Sequence, residues 1–394
     1  MRKCPICESN KFIKLISLPL SLPTGINFID DYNLIRCETC GFFYADIKGD
    51  QNDLDKYYFN DSKYETLEIQ SVGGGGVSKE DKIRLLKTFK LIEPYLNKNT
   101  NILDIGTANG GLLEVFKDNG YRFLTGIEPA KQCCINTIEL VGCSCYNNSF
   151  INQDFNQKFD FISVTHVLEH VLDVKSFMNK IYDILNPNGI VYIECPDINS
   201  YKKYIHGPFQ EFNTEHINHF GIDDYENLAK MNKFKVVTKG TYEISITSKL
   251  NYVSAYCFLK KSSVKTSEKI LKNDSFENIT NYIGASDKML RNFHDWAIKI
   301  DQTIFLYGIG QLSYKIICIL KNLNKSIVLI DGDPIKNGKE IEGLKIHDLN
   351  HIENFNKEGI LLICSVISAE SIELDLIKKS KTKLNILPIG NCFK

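Results

Sequence analysis

Residues 101–111 constrain this chain more than any other stretch. They read Asn-Ile-Leu-Asp-Ile-Gly-Thr-Ala-Asn-Gly-Gly, and a helical run, Leu-Leu-Glu-Val-Phe, follows directly. A short apolar strand carries Asp104 into a turn punctuated by Gly106 and Gly110, residues that admit positive φ and the close approach of a ligand. The helix behind the turn presents free N–H groups and the positive end of its dipole. A second apolar run, 123–128, ends in Glu128, an acid suited to accepting both hydroxyls of a ribose. In open α/β sheets ligands bind in this crevice at the carboxyl ends of the strands. Strand, glycine turn, helix, strand and terminal acid in this order exclude an all-helical or all-β core. Any nucleotide-binding Rossmann unit satisfies the same requirements.

Three segments narrow the choice. Asp-Ile-Gly-Thr-Ala-Asn-Gly resembles the first motif of class I S-adenosylmethionine (SAM) methyltransferases. Gly-Ile-Glu-Pro-Ala resembles their second, and Phe-Asp-Phe-Ile-Ser-Val-Thr-His-Val-Leu-Glu-His, residues 159–170, their fourth. The resemblance implies that Asp104, Gly106, Thr107, Ala108 and Gly110 face the methionine end of SAM. Glu128, followed by Pro129, would hold the ribose. Asn148 and Ser149, in the segment Asn147-Asn-Ser-Phe150, fall where the family contacts adenine, although the usual acid is missing there. Thr165 and His166 end the fourth strand beside the cofactor. For His166 and for His170 the plainer reading is a satisfied core or capping histidine.

With 394 residues the chain is long enough for two or three domains. Its 43% hydrophobic and 24% charged content is ordinary for a globular protein. A net charge of −1 gives no electrostatic footprint for nucleic acid or a membrane surface. No long apolar run and no signal-peptide pattern is visible, so a cytoplasmic protein is expected. The thirteen cysteines read as reduced thiols and metal ligands, not as a disulfide framework.

Four of them form two pairs, Cys4-x-x-Cys7 and Cys37-x-x-Cys40. Each pair points two thiolates at one ion, and together they make the Cys₄ tetrahedron of a closed structural Zn²⁺ site. An iron–sulfur centre or two redox pairs are the alternatives. Residues 15–33 would be a loop or β-excursion between the pairs. Cys133, Cys134, Cys143 and Cys145 read as small apolar residues. The aromatic segment 46–80 breaks at four consecutive glycines, 73–76, which suit either a linker or the hinge of a lid. Tyr64 is the tyrosine expected to face substrate.

Strands at about 101–105, 123–128, 143–146, 159–165 and 190–195 alternate with helical segments, as a parallel sheet requires. Residues 186–189 read as a turn before the fifth strand, and 234–241 and 252–260 as the last two strands. Phe-Asn-Thr-Glu-His-Ile-Asn-His-Phe, residues 212–220, follows the fifth strand. It places Glu215, His216 and His219 above the carboxyl edge, where a histidine suits a general base and an adjacent carboxylate can orient it. The alternative is a histidine that caps the loop. Near the C-terminus Gly308-x-Gly310-x-x-Ser313 and a strand ending at Asp331 read as a second, Rossmann-like unit; alone this fingerprint is weak evidence for a dinucleotide.

The whole order is similar to bacterial sugar C-methyltransferases acting on nucleotide-linked deoxysugars. The expected fold is α/β: a class I methyltransferase sheet, an N-terminal zinc module and a second Rossmann-like domain, divided as 1–60, 61–262 and 263–394. The resemblance implies that His216, within a Glu-His pair, deprotonates carbon next to a 4-keto group, and that the enolate takes the methyl. Asn213 stands where that family has a tyrosine, and His219 replaces a second aromatic. O- or N-methyl transfer to a sugar or other small molecule keeps every other feature. An NAD-binding oxidoreductase, and a zinc-supported binding module with a relic SAM pocket, are rivals of other classes. The expected partner is a nucleotide-sugar, with no polymeric nucleic acid and no membrane, for a monomer or homodimer.

Overall fold

The structure is a computed structural model that describes residues 2–26, 28–60, 69–70, 73–247, 250–262, 270–350, 359–366, 368–379 and 385–394. Tyr64 lies outside the described residues. The chain forms two compact units. The first comprises Met1–Lys14, Ile35–Ser200 and Glu215–Phe276, and the second Leu15–Leu34, Tyr201–Thr214 and Glu277–Lys394. Both cysteine pairs thus share a unit with the sequence motifs at 101–170, while the excursion between the pairs falls with the C-terminal residues.

Strands β1 (Phe12–Leu18), β2 (Tyr32–Cys37) and β3 (Phe43–Asp46) precede helices α1 (Gln51–Asn60) and α2 (Lys79–Ile92). The start of α2 is fixed by Ser78, whose hydroxyl accepts the Asp81 N–H at 3.2 Å and donates to the Asp81 carboxylate at 2.9 Å, a local exchange that satisfies an orphan donor of the first turn. Then β4 (Ile102–Ile105), α3 (Gly111–Asp118), β5 (Leu124–Ile127), α4 (Lys131–Val141), β6 (Ser144–Tyr146), β7 (Phe159–Thr165), α5 (Val174–Ile184) and β8 (Leu185–Pro196) alternate. A two-residue β9 (Asn218–His219), α6 (Asp224–Met231) and the hairpin β10 (Phe234–Thr247) and β11 (Leu250–Lys261) complete the unit.

The main sheet has the order β10-β11-β8-β7-β4-β5-β6. From β8 to β6 all neighbours are parallel, and β11 alone runs antiparallel between β8 and β10. Strand β4 is buried throughout, and β7 and β8 are buried along most of their length, the near-continuous apolar run of a sheet covered on both faces. Because β4 lies between β5 and β7, the chain reverses direction of winding there, and the crevice opens at the carboxyl end of β4. This is the expected α/β sheet, parallel except at β11. Residues 186–189 differ from expectation: Phe159 pairs with Leu185 and Phe161 with Ile190. The turn is a bulge within β8 and does not precede it.

In the second unit α7 (Phe276–Ile298), β12 (Thr303–Tyr307), α8 (Gln311–Asn322), β13 (Ile327–Ile330), β14 (Glu340–Ile341), β15 (Leu344–His347), β16 (Gly359–Ile363), α9 (Ala369–Lys379) and β17 (Asn385–Pro388) follow in order. The sheet order is β14-β15-β13-β12-β16-β17, parallel except for β14. Its Gly308 has φ 89°, and the Ser313 hydroxyl donates to the Gly308 carbonyl at 2.6 Å. Asp331 accepts the Ile309 N–H at 2.6 Å and the Lys336 ammonium at 3.1 Å on one oxygen, and the Asp333 N–H on the other. The acid at the end of β13 is therefore tied into its own glycine turn. No helix of the described residues is long and apolar enough to cross a membrane.

Candidate active site

At the carboxyl end of β4, Gly106 and Gly110 take φ of 69° and 80°. A Cβ on Gly106 would sit 2.4 Å from Val167 Cγ2, so the turn accepts no larger residue. Ala108 is also left-handed, at φ 48°. Asp104 is buried and accepts the Ser163 hydroxyl at 2.6 Å. Burial pushes its carboxyl up to about 6, against the hydrogen bonds from Ser163 and Thr107. Thr107 is buried beside it and donates its N–H to Ile127.

Glu128, just past β5, spans two turns. One carboxylate oxygen accepts the Ala108 N–H at 2.9 Å and the other the Ala130 N–H at 3.0 Å. A carboxylate held at this position is an acceptor of the kind to which the two hydroxyls of a ribose donate. Pro129 continues that turn, and its carbonyl accepts the Asn147 amide at 2.7 Å, which also reaches the Glu128 carbonyl. Asn147 is thus the residue that ties this loop to Glu128. Asn148 accepts the Ser149 N–H and reaches Gln153, with Ser149 buried.

The glycine run is neither a plain linker nor a free hinge here. Asn109 donates its side-chain amide to the Gly74 carbonyl at 2.9 Å, and the Gly111 N–H donates to Gly75 at 2.8 Å. A Cβ on Gly76 would meet the Ile69 carbonyl at 2.2 Å. The glycines are small because two backbone segments meet at this point.

Behind the turn lies a buried polar chain. Thr165 ends β7 opposite Glu194 of β8. His166, at φ 54°, places one ring nitrogen 3.0 Å from Glu194 and the other 3.3 Å from Glu169. The Tyr252 hydroxyl lies 3.0 Å from its Nε2. Burial opposes the imidazolium, but hydrogen bonds to Glu169 and then Glu194, with their charges, raise its pKa to about 9. Glu194 also accepts the Tyr192 hydroxyl at 2.7 Å and the Tyr242 hydroxyl at 2.9 Å. Burial pushes Glu194 up, yet the His166 hydrogen bond and charge hold it below the usual carboxylate range.

Glu215 and His216 meet this chain from the far side. The His170 Nδ1 donates to the Glu215 carbonyl at 2.8 Å, and the Ile217 N–H to the Glu169 carbonyl at 2.9 Å. The rings of His170 and His216 are 5.0 Å apart between centroids. The Tyr57 hydroxyl of α1 donates to the Glu215 carboxylate at 2.7 Å. His219 stands elsewhere: it pairs with Phe43 in β9 and is fully buried. Burial, then the charges of His216 and Arg2, hold its ring well below the ordinary histidine pKa. The sequence reading missed Tyr57, Tyr252, Glu169 and Glu194 as site residues and set His170 aside. The spacing His166-x-x-Glu169-His170 was the available signal for Glu169 and His170.

Cys4, Cys7, Cys37 and Cys40 converge, with sulfur atoms within 4.8 Å of one another and two Sγ–Sγ pairs at 3.5 Å. Zinc–thiolate bonds of about 2.3 Å put tetrahedral sulfurs about 3.8 Å apart, so the four thiols fit that ion. Hydrogen bonds from the Cys4, Cys40 and Cys7 thiols hold Cys37 far below the ordinary thiol range.

Residues 79–239 match the family model of a methyltransferase domain. A ubiquinone biosynthesis O-methyltransferase of Neisseria meningitidis serogroup C is 23% identical over 117 residues, covering 28% of this chain and 49% of the relative. The corresponding serogroup A protein is 24% identical over 113 residues, covering 27% and 47%. The chain thus spans about half the length of the curated relatives it matches. Among solved structures, a SAM-dependent methyltransferase from Clostridium acetobutylicum is 12% identical, covers 48% of this chain and 94% of its own, and has a TM-score of 0.37. The magnesium protoporphyrin IX methyltransferase of Synechocystis is 13% identical, covers 54% of this chain and 100% of its own, and scores 0.42. Over 79–239 the chain therefore matches a methyltransferase domain.

Proposed function

We propose that this chain is a SAM-dependent methyltransferase acting on a nucleotide-linked deoxysugar, and that it methylates carbon next to a keto group with His216 as the base. The observation that carries this reading is the Glu215–His216 pair joined to Glu169 and His170 in the methyltransferase unit. SAM, when bound, supplies a methyl group on a cationic sulfur and leaves as S-adenosylhomocysteine. Asp104, Gly106, Thr107, Ala108 and Gly110 would hold its methionine end, Glu128 and Pro129 the ribose, Asn148 and Ser149 the adenine side, and Thr165 and His166 the floor beside it. His216 takes the α-proton of the keto sugar, which leaves the electron pair on carbon to form the new bond, and later returns the proton to solvent. Glu215 is oriented by Tyr57, and Tyr64 is the remaining candidate for the proton-transfer role. Cys4, Cys7, Cys37 and Cys40 would hold a structural Zn²⁺ that supplies folding energy to the segment 1–60 and no chemistry. The methyltransferase domain then runs over 61–262 and the Rossmann-like one over 263–394.

Transfer to oxygen is the second reading, supported by the O-methyltransferase relatives over about a quarter of the chain. Mass spectrometry of nucleotide-sugars incubated with SAM separates the two, because fragmentation locates the added methyl. A 4-keto sugar in deuterium oxide with S-adenosylhomocysteine should exchange its α-hydrogen in the wild type. His216→Ala should lose that exchange and lower turnover by about 10²–10⁴-fold. Exchange that persists in the variant moves the base elsewhere; methyl found on oxygen rejects the carbon acceptor.

A further inference from the structure

Glu169, His170 and His216 bring one carboxylate oxygen and two ring nitrogens within 4.8 Å of one another. The His170 Nδ1 faces the Glu215 carbonyl at 2.8 Å. A carbonyl only accepts, so Nδ1 carries the hydrogen and the neutral ring turns its Nε2 lone pair away from that partner. That lone pair lies 4.0 Å from Glu169 Oε1, an acceptor facing an acceptor. The other carboxylate oxygen, Oε2, is buried without a hydrogen-bond partner, and Glu169 is only 2% exposed. Two opposed lone pairs and an orphaned buried oxygen call for a cation.

We propose that Glu169, His170 and a ring nitrogen of His216 form a divalent metal site, suited to zinc, whose occupation switches the base off. Two imidazoles and a carboxylate are the ligands of an open zinc site, with bonds of about 2.1 Å. Ligand atoms about 3.4–4.2 Å apart, from tetrahedral to linear, suit such bonds, so the 4.0 Å pair is already in range and the set closes with small side-chain shifts. The Nδ1 bond to the Glu215 carbonyl is the outer-shell anchor that fixes a ligating tautomer. The ion and the proton compete for the same imidazole. A histidine with one nitrogen on the metal carries hydrogen on the other and cannot take a proton from carbon. Free zinc beyond the Cys₄ equivalent therefore inhibits. This consequence rests on His216 being the base, whereas the site itself does not.

Cobalt(II) titration of the metal-stripped full-length protein tests the site without turnover. The Cys₄ ion shows thiolate-to-cobalt charge transfer, and a Glu-His-His ion does not. The wild type should take one cobalt lacking that band, and Cys37→Ser should keep it while losing the thiolate band. His170→Ala and Glu169→Gln should each lose the thiolate-free equivalent or bind it at least tenfold more weakly. An unchanged thiolate band, or unchanged SAM affinity, shows that these variants are folded. A wild type with no thiolate-free cobalt, or one that persists in both variants, overturns the site. Zinc that binds there yet leaves deuterium exchange unchanged overturns the switch.

Discussion

Glu128 shows how one side chain serves both fold and ligand. Its two oxygens accept N–H groups from the turn after β4 and the turn after β5, so the acid is held in place before any ribose arrives. Glu128→Ala should weaken SAM binding by about 3–6 kcal/mol, the loss of two charge-assisted hydrogen bonds, and calorimetry would read this as at least a hundredfold rise in Kd. An unchanged Kd removes Glu128 from the cofactor site. Gly106→Val should also abolish SAM binding, but for another reason. Its Cβ would overlap Val167 at a left-handed φ, so the variant should unfold more easily as well. Asp104 and Gly106 were legible because the strand–turn–helix pattern that marks them is written in neighbouring residues, although Ser163 and Val167, which they meet in the fold, lie far along the chain. Tyr57 was not, since sequence alone does not say which tyrosine of an aromatic stretch a helix will turn toward Glu215.

At the scale of elements, the segment from the end of β7 to the following turn is a charge clamp. His166 stands between two buried carboxylates, Glu169 and Glu194, carried on the turn and on β8. Removing the cation leaves both acids without their central partner, and breaking a buried pair costs about 3–5 kcal/mol. His166→Ala should lose that much stability in urea unfolding followed by circular dichroism. Adding Glu194→Gln to it should recover part of the loss, because one stranded charge disappears. A variant as stable as the wild type would show that water reaches these carboxylates. The clamp depends on register: Thr165 pairs with Glu194 only because the bulge at 186–189 absorbs the extra residues of β8. A turn was visible in Asn-Pro-Asn-Gly, but its position within the strand was decided by pairing across the sheet.

For the molecule as a whole, stability is shaped by a cation that the second unit buries. Lys315 in α8 is 4% exposed and donates to the Gln311 carbonyl at 3.2 Å. Burial pulls its pKa from 10.5 down to about 7, with Glu211 opposing. Between those values the unfolded chain binds more protons than the folded one, so stability rises with pH across that window and the burial cost is complete below about 7. Lys315→Met should stabilise this unit by about 1–4 kcal/mol at pH 6.5, and the gain should shrink toward pH 10. Trp296, the single tryptophan, lies in α7 of the same unit and reports its unfolding by fluorescence. A gain that does not change with pH would mean that Lys315 is uncharged or solvated in the fold.

The strand–turn–helix at 101–118, the acid at 128 and the cysteine pairs were determined by sequence alone, because local backbone demands and ligand spacing are written in neighbouring residues. The α/β class followed from the same alternation. What tertiary structure alone decided is everything joined across the sheet. It brought Tyr252 and Glu194 to His166, laid the glycines 73–76 against the turn at 109–111, and withdrew His219 into a strand pair. It also gathered Glu169 and His170 beside His216. These partners are separated by tens of residues along the chain, and only strand register and the burial of apolar faces select which of the polar groups are enclosed together.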